Sequence, residues 1–215
     1  MRSPRNVTDP RTGMVAVIAA MAAISVIAGS VLLSSGAAQA ATYKVDAGHS
    51  GVTFRIRHIL TTVTGRFTGF EGTIVFDEKA PESASVQGSI EVATINTDNE
   101  KRDGHLQSPE FFDVAKYPRI TFKTTKITDV DTNKNTAKVH GTLSMHGVER
   151  EIVLDGQFLG SAKDPWGNER AGFRGTATLD RKDYGLTWSK TLEGGTLLVG
   201  DDVEIELNVE AVKEP

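Results

Sequence analysis

The sequence predicts an all-β, antiparallel fold of about eight strands with a short helical insertion around residues 98–113. Three observations carry that expectation. From Thr42 onward apolar residues recur at every second position, the period of a strand with one buried and one wet face. The joints between these runs are short and rich in Gly, Pro, Asn and Asp. Only Asp98 to Asp113 follows neither pattern: it sets both charge signs and a histidine between Lys101 and Leu106, then an adjacent Phe pair, and reads as the mouth of a pocket.

The chain opens with a segment of different character. Met1 to Gly13 carries Arg2, Arg5 and Arg11 against Asp9, Met14 to Leu33 has no charge, and Ser34 to Ala40 is small and ends Ala38-Gln39-Ala40. Positive, then apolar, then A-x-A is the grammar of a secretory signal peptide over residues 1–40, with cleavage expected before Ala41. The twenty-residue uncharged run is also long enough to span a bilayer, so an uncleaved anchor is the alternative. Either way residues 41–215 form a domain outside the cytoplasm, with no integral span once the leader is cut.

Without the first forty residues, 21 basic side chains face 27 acidic ones, a net charge of −6. That balance gives no long-range attraction for nucleic acid or anionic lipid surfaces. There is no cysteine, which removes thiolate nucleophiles, redox motifs and cysteine-based zinc sites. An exported domain without disulfides must be stabilised by its core, and about 175 residues can bury one.

Val52, Phe54, Ile56 and His58 alternate with Thr53, Arg55 and Arg57, so a histidine takes the last inward slot of that strand. The final strand sets Val203, Ile205, Leu207, Val209 and Ala211 against Glu204, Glu206, Asn208 and Glu210. Weaker alternation covers 74–76, 86–92, 120–122, 137–145, 152–154 and 173–179. Turns interrupt it at 77–82, 129–135, 146–148 and 163–168; connections this short favour antiparallel neighbours.

Eight such strands can form a sandwich or a barrel, and periodicity alone does not choose. Two features lean towards closure. Gly65, Gly69 and Gly72 punctuate one long strand-like stretch, Thr62 to Asp77, where glycine marks bulges or sharp coiling. The inward positions include Gly88, Gly141, Gly175 and Ala177, small residues expected to leave room for a ligand.

The motifs Ala47-Gly48-His49-Ser50, Gly65-x-Phe67-x-x-Phe70-x-Gly72, Arg102-Asp103-x-His105-Leu106 with Phe111-Phe112-Asp113, and Tyr117-Pro118-x-Ile120-x-Phe122 resemble the YceI-like family. So do His146-Gly147-Val148, Arg181-x-Asp183-Tyr184-Gly185 and Val199-Gly200-Asp201-x-Val203, in order across Thr42 to Lys213. Thr94-Ile95 departs modestly, where related chains often carry a serine before the isoleucine. The resemblance implies an eight-stranded lipocalin-like barrel, periplasmic or secreted, that binds a polyisoprenoid or other long-chain amphiphile and has no known catalytic set. The expected partner is a small amphiphile, namely a polyprenyl phosphate, an isoprenoid quinone or a fatty acid or amide. An isoprenoid or fatty-acyl ligand is expected inside, with no other cofactor, and a homodimer is left open.

Candidate lining residues for the tail are Phe54, Ile56, Phe67, Phe70, Ile90, Phe111, Phe122, Leu143, Phe173 and Trp188. Singly, each reads as core packing; together they bind a tail only if the cavity is continuous. His58, Arg102, Asp103 and His105 are the polar candidates at the mouth. An Arg there suits a phosphate or carbonyl head, whereas His58 could simply be satisfied by Asp103 or by backbone. A metal is not expected: His140 and His146 lie roughly 20 Å apart on an extended strand at about 3.3 Å per residue, and His49, His58 and His105 show no ligating spacing.

Two other function classes remain. A hydrolase acting on an amphiphile could pair His58 with Asp103 and recruit Ser50 or Ser108, yet there is no G-x-S-x-G elbow. Ser108-Pro109-Glu110-Phe111 reads instead as a helix start, with serine at the N-cap. In a stress-related or interaction protein, an exposed edge or the Trp166 loop would carry the function and the cavity would be incidental.

Overall fold

A computed structural model describes residues 40–191 and 197–215. The expected signal peptide, except Ala40, lies outside the described residues, among which no helix is long and apolar enough to cross a membrane. Among the described residues there are eleven strands: β1 Ala41–Val45, β2 Gly51–His58, β3 Thr61–Phe67, β4 Phe70–Phe76, β5 Ser85–Glu91, β6 Ile95–Asn96, β7 Arg119–Asp131, β8 Thr136–Met145, β9 Val148–Lys163, β10 Glu169–Asp180 and β11 Val199–Lys213. The helix α1 spans Glu100–Gln107.

These strands build eight staves. β1 and β2 both run antiparallel to β11, through Tyr43 opposite Lys213 and Ile56 opposite Val203, so they are two halves of one bent strand. β4 and β3 pair with those halves in turn, and β5 and β6 with β4 and β3. β7 to β10 form a meander that returns to β11, every pairing being antiparallel. Because β1 is bonded to β4 on one edge and β11 on the other, the ring β1-β4-β5-β7-β8-β9-β10-β11 closes. The fold is a barrel and not a sandwich.

The break between β3 and β4 falls at Gly69, as the glycine pattern predicts. A Cβ there would stand 2.7 Å from the Thr94 methyl, and Gly69 N donates to Thr94 Oγ1 at 2.9 Å. At that end β6 is only two residues long, and residues 97–118, with α1, carry the chain on to β7. Asn99 caps α1 by accepting from Arg102 N at 3.0 Å. Ser108 corrects the sequence reading: it ends the helix, its N–H and hydroxyl both donating to His105 O. An asparagine nine residues upstream, in extended backbone, already holds the start.

Two buried clusters divide the interior. One gathers Val52, Phe67, Val92, Ile95, Leu143, Tyr184 and Leu186; the other gathers Tyr43, Ile74, Phe76, Ala171 and Ala211. Burial pushes the Tyr184 phenol up from its ordinary pKa, and its hydroxyl has no partner among the described residues. On the core face of β11, Val203, Ile205, Leu207 and Val209 remain only half-buried, because they border internal space instead of packed atoms.

The small inward residues behave differently from the expectation. The Phe122 ring covers Gly141, and a Cβ there would overlap the ring and stand 2.6 Å from Lys123 O. Gly175 lies beside the Leu207 side chain in ordinary van der Waals range. Phe54 likewise covers Gly65, directly opposite it across β2 and β3. These glycines make room for a neighbour's ring or branch as much as for a ligand; of the three inward glycines 88, 141 and 175, only at Gly88 would a Cβ meet nothing closer than 3.7 Å.

Arg170 ties the bend between β1 and β2 to the rest. Its Nη1 donates to Asp46 Oδ2 at 2.8 Å and Glu210 Oε1 at 2.6 Å, and its Nε to Asp164 Oδ2 at 3.0 Å. The Arg170 hydrogen bond, with His49 behind it, brings the Asp46 carboxyl from 3.8 down to about 2. Asp164 is also held at about 2, first by the Asn168 side chain, then by Arg170 and the Asn168 and Trp166 N–H groups. A depressed carboxyl contributes stability that is complete above its unfolded value and lost as pH falls through its folded one.

Arg170→Met should therefore lower the melting temperature at neutral pH, with the gap to wild type narrowing as pH falls from about 4 towards about 2. A gap that stays constant in circular-dichroism melts over that window would trace the loss to packing instead. Gly141→Ala should cost about 1–3 kcal/mol by forcing Phe122 and the Lys123 carbonyl apart, measured by urea unfolding.

Candidate functional site

The near chamber, a cavity of about 270 Å³, lies under α1. β2 contributes Phe54, Ile56 and His58, β3 Phe67, and β5 Ile90. Leu143 of β8 and Ile205 of β11 form its floor, and Arg102, His105, Leu106 and Phe111 of the 97–118 segment cover it with Trp188. Period two explains the walls: alternate residues of each strand face inward. The far chamber, about 250 Å³, is bordered by Ile74, Phe76, Val139, Leu154, Phe158, Phe173 and Leu207.

Seven of the ten apolar candidates, Phe54, Ile56, Phe67, Ile90, Phe111, Leu143 and Trp188, thus border one space. Three do not. Phe173 faces the far chamber, packed edge-on to Phe76 at 5.3 Å. Phe70 and Phe122 border neither chamber and pack against the near core cluster. Alternation fixes the face a residue takes but not its height along the barrel, and height separates the chambers.

The polar candidates divide as well. Arg102 borders the near chamber with Nε donating to Thr97 Oγ1 and Nη2 to Thr97 O, both at 2.7 Å. Asp103 does not border it and does not meet His58: its Oδ1 accepts from Thr97 N at 2.9 Å and Thr97 Oγ1 at 2.5 Å. Asp103 thus orients the buried Thr97 hydroxyl, which in turn holds Arg102. His105 lies edge-on to Phe111 at 4.9 Å and Trp188 at 5.1 Å, with Nε2 2.5 Å from Glu110 Oε2. His58 borders the chamber, and no hydrogen bond of its ring is found among the described residues.

Sequence reasoning missed Arg181. It is buried in the chamber wall, donating through Nε to Gly200 O at 2.8 Å, through Nη1 to Leu186 O and through Nη2 to Asp201 Oδ1 at 3.2 Å. Its position at the start of Arg181-x-Asp183-Tyr184-Gly185 was the available signal; nothing in the alternation marks it. Leu106, Phe112, Met145, Leu179, Leu186 and Leu198 also border the chamber, the loop residues among them lying where no period applies.

The serines of the hydrolase reading are engaged elsewhere. Ser50 Oγ donates to Glu210 O at 3.1 Å and accepts from Glu210 N at 3.0 Å, while Ser108 Oγ is bonded to His105 O. Neither is bonded to His58. His140 meets Thr128 Oγ1 at 2.9 Å and His146 meets Tyr184 O at 2.9 Å. Asp46, His49 and Glu210 bring ligand-type atoms within 4.8 Å of one another, but the Arg170 guanidinium already bridges their two carboxylates.

With this geometry in place, the chain can be compared with known proteins. The model of the YceI-like domain matches residues 43–211. A UPF0312 protein of Pseudomonas paraeruginosa is 37% identical over 189 residues, covering 86% of this chain and 94% of its own. The crystal structure of the Campylobacter jejuni YCEI protein is 33% identical with a TM-score of 0.64, over 73% of this chain and 88% of that one. A polyisoprenoid binding domain from Saccharophagus degradans, implicated in plant cell wall breakdown, shares the fold at 20% identity and TM-score 0.58, over 82% of this chain and all of that one.

Thr97→Val should cost about 1–3 kcal/mol by removing the hydroxyl that donates to Asp103 and accepts from Arg102 Nε, while the backbone bonds of residue 97 to both remain. Thr97→Ser, which keeps the hydroxyl, should recover most of it in the same unfolding assay.

Proposed function

The chain belongs to the YceI-like domain family, and from that premise we propose that it is a non-enzymatic lipid-binding protein holding a polyisoprenoid or similar long-chain tail in the near chamber. The observation that carries this reading is one cavity of about 270 Å³ with an almost wholly apolar lining, over which the 97–118 segment sets Arg102 and His105. The Saccharophagus degradans barrel, itself a polyisoprenoid binding domain, supports the ligand class.

Water expulsion supplies the affinity. At about 30 Å³ per water-sized group the chamber takes about nine such groups, and roughly 0.8 kcal/mol for each buried CH₂ gives about 7 kcal/mol before association costs. No chemistry on the guest is required. Arg102 is the group to meet the head, because its Nε and Nη2 donate to Thr97 and its remaining N–H groups are left to bond a phosphate, a quinone oxygen or a carboxylate. The role is carriage, storage or sensing of such an amphiphile. We assign this work to the periplasm or the cell exterior, a reading supported by the positive, apolar and A-x-A pattern of residues 1–40.

Native mass spectrometry of the exported chain should show a copurifying isoprenoid or acyl amphiphile. Arg102→Ala should weaken a polyprenyl phosphate about 10- to 100-fold, the loss of a charge-assisted bond of about 1.5–3 kcal/mol, with much less effect on the uncharged alcohol of the same length. Equal losses for both, or turnover of the ligand, would overturn the assignment.

A further inference from the structure

The β2–β3 turn, beside the near chamber, has an unusual composition. His58 at the end of β2 and Val63 near the start of β3 border the cavity, and His58 pairs with Thr61, so Ile59 and Leu60 alone make the turn. Two-residue hairpin turns favour Asn, Asp or Gly, because the backbone there enters the left-handed region. Ile59 sits at φ 51°, which a β-branched side chain adopts only under strain. Leu60 beside it is 91% exposed. A lone exposed leucine is ordinary, but a strained turn that also holds a leucine in water works against local stability twice.

The turn is continuous with the cavity rim. Ile59 N donates to Leu198 O at 3.0 Å and Leu198 N to Lys190 O at 2.8 Å, and Leu198 and Trp188 both border the chamber. Charge is uneven here too. Residues 41–215 carry a net −6, yet no acidic residue occurs from Ala47 to Phe70, a stretch that holds Arg55, Arg57 and Arg66. Arg55 pairs with Glu204 and Arg66 with Asp98. Exposed Arg57 meets no carboxylate among the described residues; its Nη1 donates to Ile59 O at 3.0 Å, which keeps the guanidinium at the turn.

We infer that this turn is where the chain docks on a lipid bilayer, Leu60 entering the interface and Arg57 meeting lipid phosphate, so that the near chamber exchanges its guest with the membrane. The inference rests on the carrier reading above. A net negative domain has no long-range pull towards phospholipid, so contact must come from a short-range apolar anchor with a cation beside it. A bilayer suits that pair because an amphiphile held in it reaches the chamber without drawing its tail through water, which the hydrophobic effect opposes. The other fully presented aromatic, Trp166 on the β9–β10 turn, is 81% exposed but borders neither chamber, so it lacks that continuity.

The test follows a dansyl-labelled isoprenoid alcohol as it leaves quencher-loaded phosphatidylcholine vesicles for the protein, beside its equilibrium binding when added from solution. In the wild type the transfer rate should rise with vesicle concentration, the mark of transfer by collision. Leu60→Asn should slow transfer about tenfold, while equilibrium affinity stays within about twofold. Leu60→Trp should restore the rate and add an emission component that shifts to the blue with vesicles. Arg57→Gln should slow transfer about threefold, and Trp166→Ser should leave it unchanged. Leu60→Asn transferring at the wild-type rate, a wild-type rate indifferent to vesicle concentration, or a loss that follows Trp166 instead would overturn the docking and leave the carrier reading intact. If the wild type takes up no alcohol from either source, the carrier reading falls; the Leu60→Trp blue shift then decides the docking, and its absence removes that as well.

Discussion

The molecule depends on β1 being bonded along both edges. β11 holds it on one side and β4 on the other, and without that double pairing the eight staves would be an open, twisted sheet with two exposed edges. The hydrogen bonds are ordinary; what they demand is a bend. The chain must serve β11 twice, first as β1 and then as β2, and the turn between them is locked by Asp46, Ser50 and the Arg170 network. Closure at one end leaves the other end short of strand, since β6 offers only two residues. The same topology that seals the barrel makes room for the 97–118 segment, and so for a mouth.

Two opposing demands shape the interior. Apolar burial stabilises the domain, but a barrel packed solid has no guest. The compromise is visible along β11, whose core-facing valines, isoleucine and leucine stay half-buried, and in the two dense clusters that bracket the cavities. Polar groups are confined and tethered. Arg181 is neutralised within the wall by carbonyls and Asp201, whereas Arg102 is held from behind by Thr97 and Asp103 at the cover of the near chamber. One cation is therefore structural, and the other is the group that can answer a ligand.

Much of the site was legible before the fold was known. Period two placed Phe54, Ile56 and His58 on one face, and the single aperiodic stretch marked the cover. What was not legible followed from height and from partners. Phe173 and Phe122 have the right parity, yet one lies in the far chamber and the other over Gly141, because strand stagger decides the level at which residues from different staves meet. Asp103 reads as a pocket carboxylate because its neighbours in sequence are pocket residues; one helical turn directs it to Thr97.

The sequence by itself determined the class of wall, the sign and place of its turns, the family resemblance and the aperiodic mouth, since those depend on alternation, glycine and proline within a few residues of each other. Only the tertiary structure decided that the wall closes, that β1 closes it, that the inward glycines seat aromatic rings, and that the interior is two chambers and not one. The reason is physical: strand register and barrel stagger arise from pairings between residues as far apart as Tyr43 and Lys213. No local pattern encodes at what height two such distant side chains will meet.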